Sequence, residues 1–111
     1  MGRGRNLGDL EALVLAGVVR MGAEANGTGI YWDLELRSKR DLSLPAIHVT
    51  LRRLEEKGLV TSKVGDPSPR GGRPRRFYRP TPLGMRTLAE FREMWARVWS
   101  GLTLSDPAAT S

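Results

Sequence analysis

The stretch that decides the fold is residues 43–60, SLPAIHVTLRRLEEKGLV. Ser43 is suited to an N-cap, and Pro45 to the first helical turn, where a missing N–H costs little. Apolar side chains then recur at spacings of three and four residues, which is the period of an amphipathic helix. They are Leu44, Ile47, Leu51 and Leu54. Gly58 favours a left-handed residue after the helix, so the stretch predicts one helix that begins at Ser43 and ends near Lys57.

Two helices are predicted before this stretch. The first takes Asn6 as its N-cap and ends near Met21 and Gly22. The second is capped by Thr28 and ends around residues 38–39. Its buried face is predicted from apolar spacing and comprises Ile30, Tyr31 and Leu34, with Leu36 or Arg37 near it. Between the second and third helices, Leu42 is expected to pair briefly as an edge strand.

A basic hairpin is predicted after the third helix. The β-branched residues in 59–64 predict a strand, and the many glycines and prolines in 65–74 predict a turn. Residues 75–79 are predicted to form the second, returning strand. Residues 60–80 contain six basic side chains against one acid, nearly the whole excess charge of the chain. The hairpin residues expected to contact a polyanion are Lys63, Arg70, Arg73, Arg75 and Arg76.

A long helix is predicted at the C-terminal end. Thr81 and Pro82 are a strong helix start, and the pattern continues to about Leu102. One apolar stripe runs along it and is assigned to a dimer interface or an effector site: Leu88, Phe91, Trp95, Val98, Trp99 and Leu102. The stripe could instead pack on the chain's own core, or a flat aromatic ligand could stack between its tryptophans.

This order of elements predicts a mainly α fold with a two-stranded β-hairpin, a winged helix-turn-helix followed by a long dimerisation helix. The DNA-binding domain is expected over residues 6–80 and the dimerisation helix over residues 81–102. Residues 1–5 and 103–111 are expected to be flexible tails.

Composition narrows the function further. The chain has 111 residues, a net charge of +6 and no cysteine, which points to a polyanionic partner and excludes disulfides and thiolate metal sites. A membrane-spanning helix needs an apolar run of about 18 residues, and no run in the chain is that long. No signal peptide is evident. The chain has one histidine and no recognised catalytic motif. We therefore expect neither an enzyme nor a cofactor.

The solvent face of the third helix is the predicted DNA-reading surface, since a recognition helix places such side chains in the major groove. Small residues permit close approach and contact with a thymine methyl, and arginines reach phosphate or guanine. The set is Ser43, Pro45, Ala46, His48, Val49, Arg52 and Arg53. An ordinary amphipathic helix with a solvated basic face would look similar. A protein-interaction module and a nonspecific nucleic-acid-binding protein therefore remain open as alternatives.

The chain also resembles a known family in several runs of residues. These are LGDLE at residues 7–11, the stretch 43–60, and a run of Gly72, Arg73, Arg75, Arg76, Phe77, Tyr78, Thr81 and Gly84. They resemble the PadR family of bacterial transcriptional regulators over roughly residues 7–102, and the single C-terminal helix is similar to that of its smaller subfamily. The resemblance implies a cytoplasmic homodimer, usually a repressor of a palindromic operator, with phenolic or planar effectors.

The resemblance also assigns roles to individual positions. It places recognition on Ser43, Ala46, Val49 and Arg52, hairpin contacts on Arg73, Arg75 and Arg76, and dimerisation on the last helix. Two positions depart from the pattern, because Asn26 and His48 stand where the family commonly has tyrosine. A protonated His48 would donate to a phosphate more strongly, which gives the hypothesis that DNA binding strengthens below about pH 6.5.

Overall fold

The computed structural model describes residues 7–66 and 74–105, and confirms the predicted winged-helix class. A two-stranded antiparallel hairpin lies between the third and fourth helices. The elements, in chain order, are α1 (Asp9–Met21), a 3-10 turn (Gly22–Glu24), α2 (Gly27–Ser38), α3 (Leu44–Glu56), β1 (Val60–Val64), β2 (Arg76–Pro80) and α4 (Pro82–Trp99).

The core lies where α1, α2 and α3 meet the base of the hairpin. Each helix contributes apolar residues at three- and four-residue spacing, so each buries one stripe and leaves the opposite face to solvent. The buried cluster is Val14, Leu15, Val18, Ala25, Ile30, Leu34, Ile47, Leu51, Leu54, Leu59, Val60 and Tyr78. This arrangement fixes α3 against the hairpin while its polar face stays outside.

The N-caps of the first two helices are not the predicted ones. Helix α1 is capped at Gly8, whose N–H donates to the Glu11 carboxylate at 2.9 Å, whereas Asn6 lies outside the described residues. Helix α2 is capped by Asn26, whose side-chain oxygen accepts from Gly29 N–H at 3.0 Å. Thr28 is therefore the second helical residue and not the cap. Asparagine is at least as good an N-cap as threonine, so this sequence signal was present.

The turn between α2 and α3 is held by side-chain hydrogen bonds rather than by strand pairing. Lys39 ends α2 in a left-handed conformation, with φ of 58°. Glu35 then accepts from Leu42 N–H at 2.9 Å. The expected edge strand at Leu42 is wrong, because its amide is bonded to this carboxylate and its side chain packs against the core. Leu36 is also wrong as a near-core residue, since 77% of it is exposed.

The hairpin is tied to both α3 and the start of α2. Its register pairs Val60 with Pro80 and Val64 with Arg76, and Gly58 leads into it from α3 with φ of 76°. Tyr78 N–H donates to the Ala25 carbonyl at 2.9 Å, so β2 also borders the segment that precedes α2. Strand β1 begins one residue later than predicted and ends at Val64 as predicted, whereas β2 is displaced by one residue toward the C-terminus. Most of the predicted turn, residues 67–73, lies outside the described residues.

Helix α4 begins as predicted and ends earlier. Thr81 caps it by accepting from Gly84 N–H at 2.9 Å, while its own hydroxyl donates to the Gly58 carbonyl at 2.7 Å. The helix ends at Trp99, so Leu102 lies beyond it in an exposed segment. Of the predicted tails 1–5 and 103–111, residues 1–5 and 106–111 lie outside the described residues. In neither described range is any helix long and apolar enough to cross a membrane.

One partly buried ion pair joins α1 to the end of α3. Lys57 Nζ lies 2.9 Å from both carboxylate oxygens of Glu11. Burial raises the pKa of the Glu11 carboxyl, but the hydrogen bonds from Gly8 and Lys57 and the positive charges of Lys57 and Arg53 outweigh it. The net result is a pKa below its ordinary value, so the pair stabilises the fold with Glu11 ionised.

Candidate nucleic-acid interface

Helix α3 turns its apolar stripe inward and leaves a polar face exposed. The Ser43 hydroxyl accepts from Ala46 N–H at 3.2 Å, so it caps the helix while its own proton stays able to donate to a ligand. Pro45, His48 and Val49 are exposed, and Ala46 is half-buried. Small or compact side chains therefore dominate the N-terminal part of this face, as the sequence predicted.

A groove runs along this face, between α3, the start of α2 and the hairpin. Its volume is about 860 Å³. It brings together predicted recognition residues and predicted hairpin residues that are over twenty positions apart in the chain. Its lining residues are Asn26, Gly27, Thr28, His48, Arg52, Glu55, Pro74, Arg75, Arg76 and Tyr78.

The imidazole of His48 lies across the first turn of α2. A Cβ atom on Gly27 would stand 2.4 Å from His48 Cε1, far inside van der Waals contact. The absence of a side chain at Gly27 therefore lets the ring pack against the backbone there. This places His48 beside the N–H groups at the start of α2, a position where helix termini favour anions.

The groove is predominantly cationic. Arg52, Arg75 and Arg76 line it together with one acid, Glu55. Guanidinium groups match phosphate oxygens in geometry and stay charged at all physiological pH values. The arrangement suits a polyanion, and the exposed helix beside it suits insertion into a DNA groove.

Tyr78 forms part of the groove wall although it belongs to the core. Burial raises the pKa of its phenol, and the charge of Glu55 adds to that effect, while Arg76 and Arg52 oppose it. The net pKa lies above its ordinary value, so the hydroxyl stays protonated and can donate a hydrogen bond.

Of the predicted DNA-contacting residues that the structure describes, six do not line this groove: Ser43, Pro45, Ala46 and Val49, on the neighbouring face of α3, together with Arg53 and Lys63. Arg53 points elsewhere on α3, where its charge acts on Glu11. Lys63 pairs with Phe77, and strand alternation puts both on the hairpin face opposite Ser62 and Tyr78. Arg70 and Arg73 lie outside the described residues.

Sequence reasoning missed several lining residues. Asn26, Gly27 and Thr28 reach the groove because β2 pairs beside them, a long-range contact without a local signal. Tyr78 could have been found, since it lies two residues from Arg76 in a strand and so shares its face. Glu55 could also have been found, since it lies on the turn of α3 after Arg52.

The predicted aromatic stripe of α4 is largely exposed in the single chain. Leu88 packs against the core and Phe91 is half-buried. The rings of Trp95 and Trp99 stack at 5.8 Å with an interplanar angle of 17°. Val98 and Leu102 are 58% and 54% exposed. An apolar groove of about 450 Å³ between α1 and α4 adjoins the stripe at Trp95.

Comparison with known proteins identifies the family of the chain. The chain matches the model of the transcriptional regulator PadR-like family over residues 15–90. It is similar to a PadR family transcription regulator from Clostridium difficile R20291, at 23% identity and TM-score 0.70, over 82% of this chain and 91% of that one. A PadR family transcriptional regulator from Eggerthella lenta is 28% identical, at TM-score 0.65, over 80% and 76%.

A third neighbour lies outside that family. The fold is similar to part of the Aeropyrum pernix Orc1 protein, solved in complex with DNA, at 23% identity and TM-score 0.63. The match covers 86% of this chain and 27% of that one. None of the curated proteins compared with the chain matches it. Since the family model covers residues 15–90, more than half of the chain, the chain belongs to the PadR-like family of DNA-binding transcriptional regulators.

Proposed function

We propose that this regulator is a homodimeric repressor that occupies a palindromic operator in the cytoplasm. In the proposed complex, the exposed face of α3 enters the major groove, and the hairpin arginines contact the flanking backbone. The half-sites would lie about 10 base pairs apart, one DNA turn, because a two-fold dimer presents two recognition helices. Ser43, Pro45, Ala46, His48 and Val49 would supply shape and methyl contacts, with Arg52 reading a base or phosphate.

One observation carries the proposal for DNA. The groove unites Arg52 of α3 with Arg75 and Arg76 of the hairpin on one continuous surface. Each arginine on a phosphate releases counterions, so three in one groove supply salt-dependent affinity. The neighbouring α3 face supplies the selectivity that phosphate contacts lack.

Gel-shift titration against selected and mixed-sequence duplexes tests this assignment. Arg52→Ala should weaken binding to the selected duplex by about 1–3 kcal/mol and reduce its advantage over mixed sequence. Arg75→Ala with Arg76→Ala should weaken binding to both duplexes and lower the salt slope by about two. Arg79→Ala is the matched control, because Arg79 lies on the same strand and outside the groove. Unchanged binding in both groove variants would refute the assignment.

The dimer is proposed to form through α4. Trp95, Val98 and Trp99 form a stripe that is between 39% and 58% exposed. Burying such large apolar side chains contributes substantially to association, and monomers seldom leave them in water. The apolar groove between α1 and α4 adjoins this stripe and offers a surface for the partner's helix.

Sedimentation tests the interface. Trp99→Glu should convert a dimer into a monomer, because it places a charge in an apolar contact. Leu36→Glu is the control, since Leu36 is an exposed apolar residue on α2, away from the stripe. A Trp99→Glu protein that still sediments as a dimer would refute this interface.

Release by a planar aromatic compound is a separate part of the proposal. The stacked rings of Trp95 and Trp99 support it, because an aromatic ligand can extend such a stack. Quenching of tryptophan fluorescence by a planar aromatic probe, absent in Trp95→Ala, would support it.

The gel-shift titration also tests the two alternative functions. Affinity for DNA that does not depend on its sequence would favour a nonspecific nucleic-acid-binding protein. Absence of any affinity for DNA would favour a protein-interaction module.

A further inference from the structure

A hydrogen-bonded bridge joins the end of α3 to both strands of the hairpin. The Ser62 hydroxyl, on β1, donates to Glu55 Oε2 at 2.8 Å. The oxygen of the same Ser62 hydroxyl accepts from Arg76 Nη1, on β2, at 3.0 Å. A serine hydroxyl can donate one hydrogen bond and accept others, so Ser62 links Glu55 to Arg76 by donating to the first and accepting from the second. We call these three residues the hairpin bridge.

Strand register explains why the bridge can form. Ser62 pairs with Tyr78, and Arg76 pairs with Val64, so Ser62 and Arg76 are diagonal neighbours on one face of the hairpin. That face looks toward α3, where Glu55 occupies the last turn. The bridge therefore spans the open side between the recognition helix and the hairpin.

Glu55 is an acidic residue in a groove that is predominantly cationic and is proposed to face DNA. Its carboxylate lines a groove whose other charged members are Arg52, Arg75 and Arg76, with His48 as the remaining titratable neighbour besides Tyr78. A carboxylate in a DNA-facing groove repels phosphates, so by itself it would weaken binding. Its hydrogen bond to Ser62 gives it a different effect, because it orients the hydroxyl that holds the Arg76 guanidinium.

We propose that Ser62 and Glu55 are positioning residues that pre-order Arg76 for contact with DNA. The inference rests on the proposed function of the groove and deepens it. A free arginine loses many rotamers when it binds, so ordering it beforehand lowers the entropic cost of the contact. The bridge also holds the paired strands at a defined distance from α3, which matches the two surfaces to one DNA segment.

A double-mutant cycle on DNA binding tests the bridge. The probe is a duplex of about 30 base pairs selected from a random pool, long enough for two half-sites. Ser62→Ala leaves the net charge unchanged, and we expect it to weaken binding about 2- to 10-fold. Added to Arg76→Ala, the same change should cause no further loss, because its effect acts through Arg76.

Two matched variants and one stability measurement separate positioning from other effects. Ser62→Thr keeps the hydroxyl and should bind like the wild type. Thr61→Ala, on the opposite face of β1, should also leave binding unchanged. Urea unfolding of Ser62→Ala should match the wild type closely, so that its weaker binding reflects the lost orientation of Arg76 and not partial unfolding.

Two uncharged variants of Glu55 give an independent readout. Glu55→Gln retains an oxygen that accepts from Ser62, whereas Glu55→Ala does not. Both remove the repulsion between the carboxylate and DNA. The bridge predicts tighter binding by Glu55→Gln than by Glu55→Ala, and simple repulsion predicts equal binding.

The contradicting outcomes are distinct from failure of the proposed function. If Arg76→Ala weakens DNA binding but Ser62→Ala binds like the wild type, the bridge is overturned and the proposed function is not. The same holds if Ser62→Ala weakens the Arg76→Ala protein by the full factor. If the wild-type protein binds no duplex from the random pool, both the bridge and the proposed function are overturned.

Discussion

Gly84→Ala is expected to destabilise the protein although alanine is the better helix former. Gly84 is the third residue of α4, three positions after the Thr81 cap. A Cβ atom there would stand 2.0 Å from the Leu59 carbonyl oxygen and 3.0 Å from its carbon. The backbone of Leu59 cannot move away cheaply, because its side chain is fully buried and its carbonyl accepts from Thr81 N–H.

The magnitude follows from two opposing terms. Helix propensity gains at most about 1 kcal/mol when alanine replaces glycine. Overpacking costs about 1–3 kcal/mol even where flexible side chains can shift, and here the opposing atom is backbone. We therefore expect a net loss toward the upper end of that range, with the start of α4 displaced from Leu59.

Gly29→Ala is the matched control. Gly29 is likewise the third residue of its helix, and its N–H likewise donates to the N-cap side chain. Its nearest obstacle is Met21 Cε at 2.6 Å, the mobile end of a flexible side chain. We expect a change within about 0.5 kcal/mol, or a small gain.

Urea unfolding at one fixed protein concentration measures both variants, because the stability of a dimer depends on protomer concentration. Gly84→Ala should unfold at a clearly lower urea concentration than Gly29→Ala. Equal or greater stability of Gly84→Ala would refute the close approach between α4 and Leu59.

Three further predictions follow from the geometry. Asn26→Ala should cost about 1–2 kcal/mol of unfolding free energy, since it removes the cap of α2, while Thr28→Ala should cost little; the reverse order in urea unfolding would restore Thr28 as the cap. The lowered pKa of Glu11 means that its stabilisation is present above pH 4.5 and is lost as pH falls through the folded-state value. The difference in unfolding free energy between the wild type and Glu11→Gln should therefore shrink below pH 4.5, and a pH-independent difference would contradict this. Gly27→Ala should displace the imidazole of His48, the one histidine of the chain, and shift its proton resonance with little change in stability; an unchanged resonance would contradict the packing.

Local signals allowed much of the fold to be predicted. The Thr81–Pro82 start, the amphipathic stripe of α3 and the turn chemistry after Val64 each act within a few residues, so the order of elements follows from them. The cap of α2 was misplaced because two good capping residues stand near each other, and only backbone geometry selects Asn26. The edge strand at Leu42 was wrong because its partner is a side chain, Glu35, seven residues earlier.

The candidate site was likewise predicted only in part from the sequence. From sequence alone came the residue types, namely a basic hairpin beside an amphipathic helix with a compact solvent face. Strand alternation then separated Arg76 from Lys63, a distinction that depends on the register of β1 and β2. The contacts of His48 with Gly27, and of Ser62 with Glu55 and Arg76, join elements distant in the chain.

The stretch from Ser43 to Val60 therefore determined by itself that an amphipathic helix exists and where it begins and ends, because caps and apolar periodicity are local properties of the chain. Only the tertiary structure decided which of its exposed side chains meet the hairpin. That choice depends on helix rotation and strand register, which are set by packing of the whole core, and a single face of α3 carries Arg52 and Glu55 into the groove while Arg53 lies outside it.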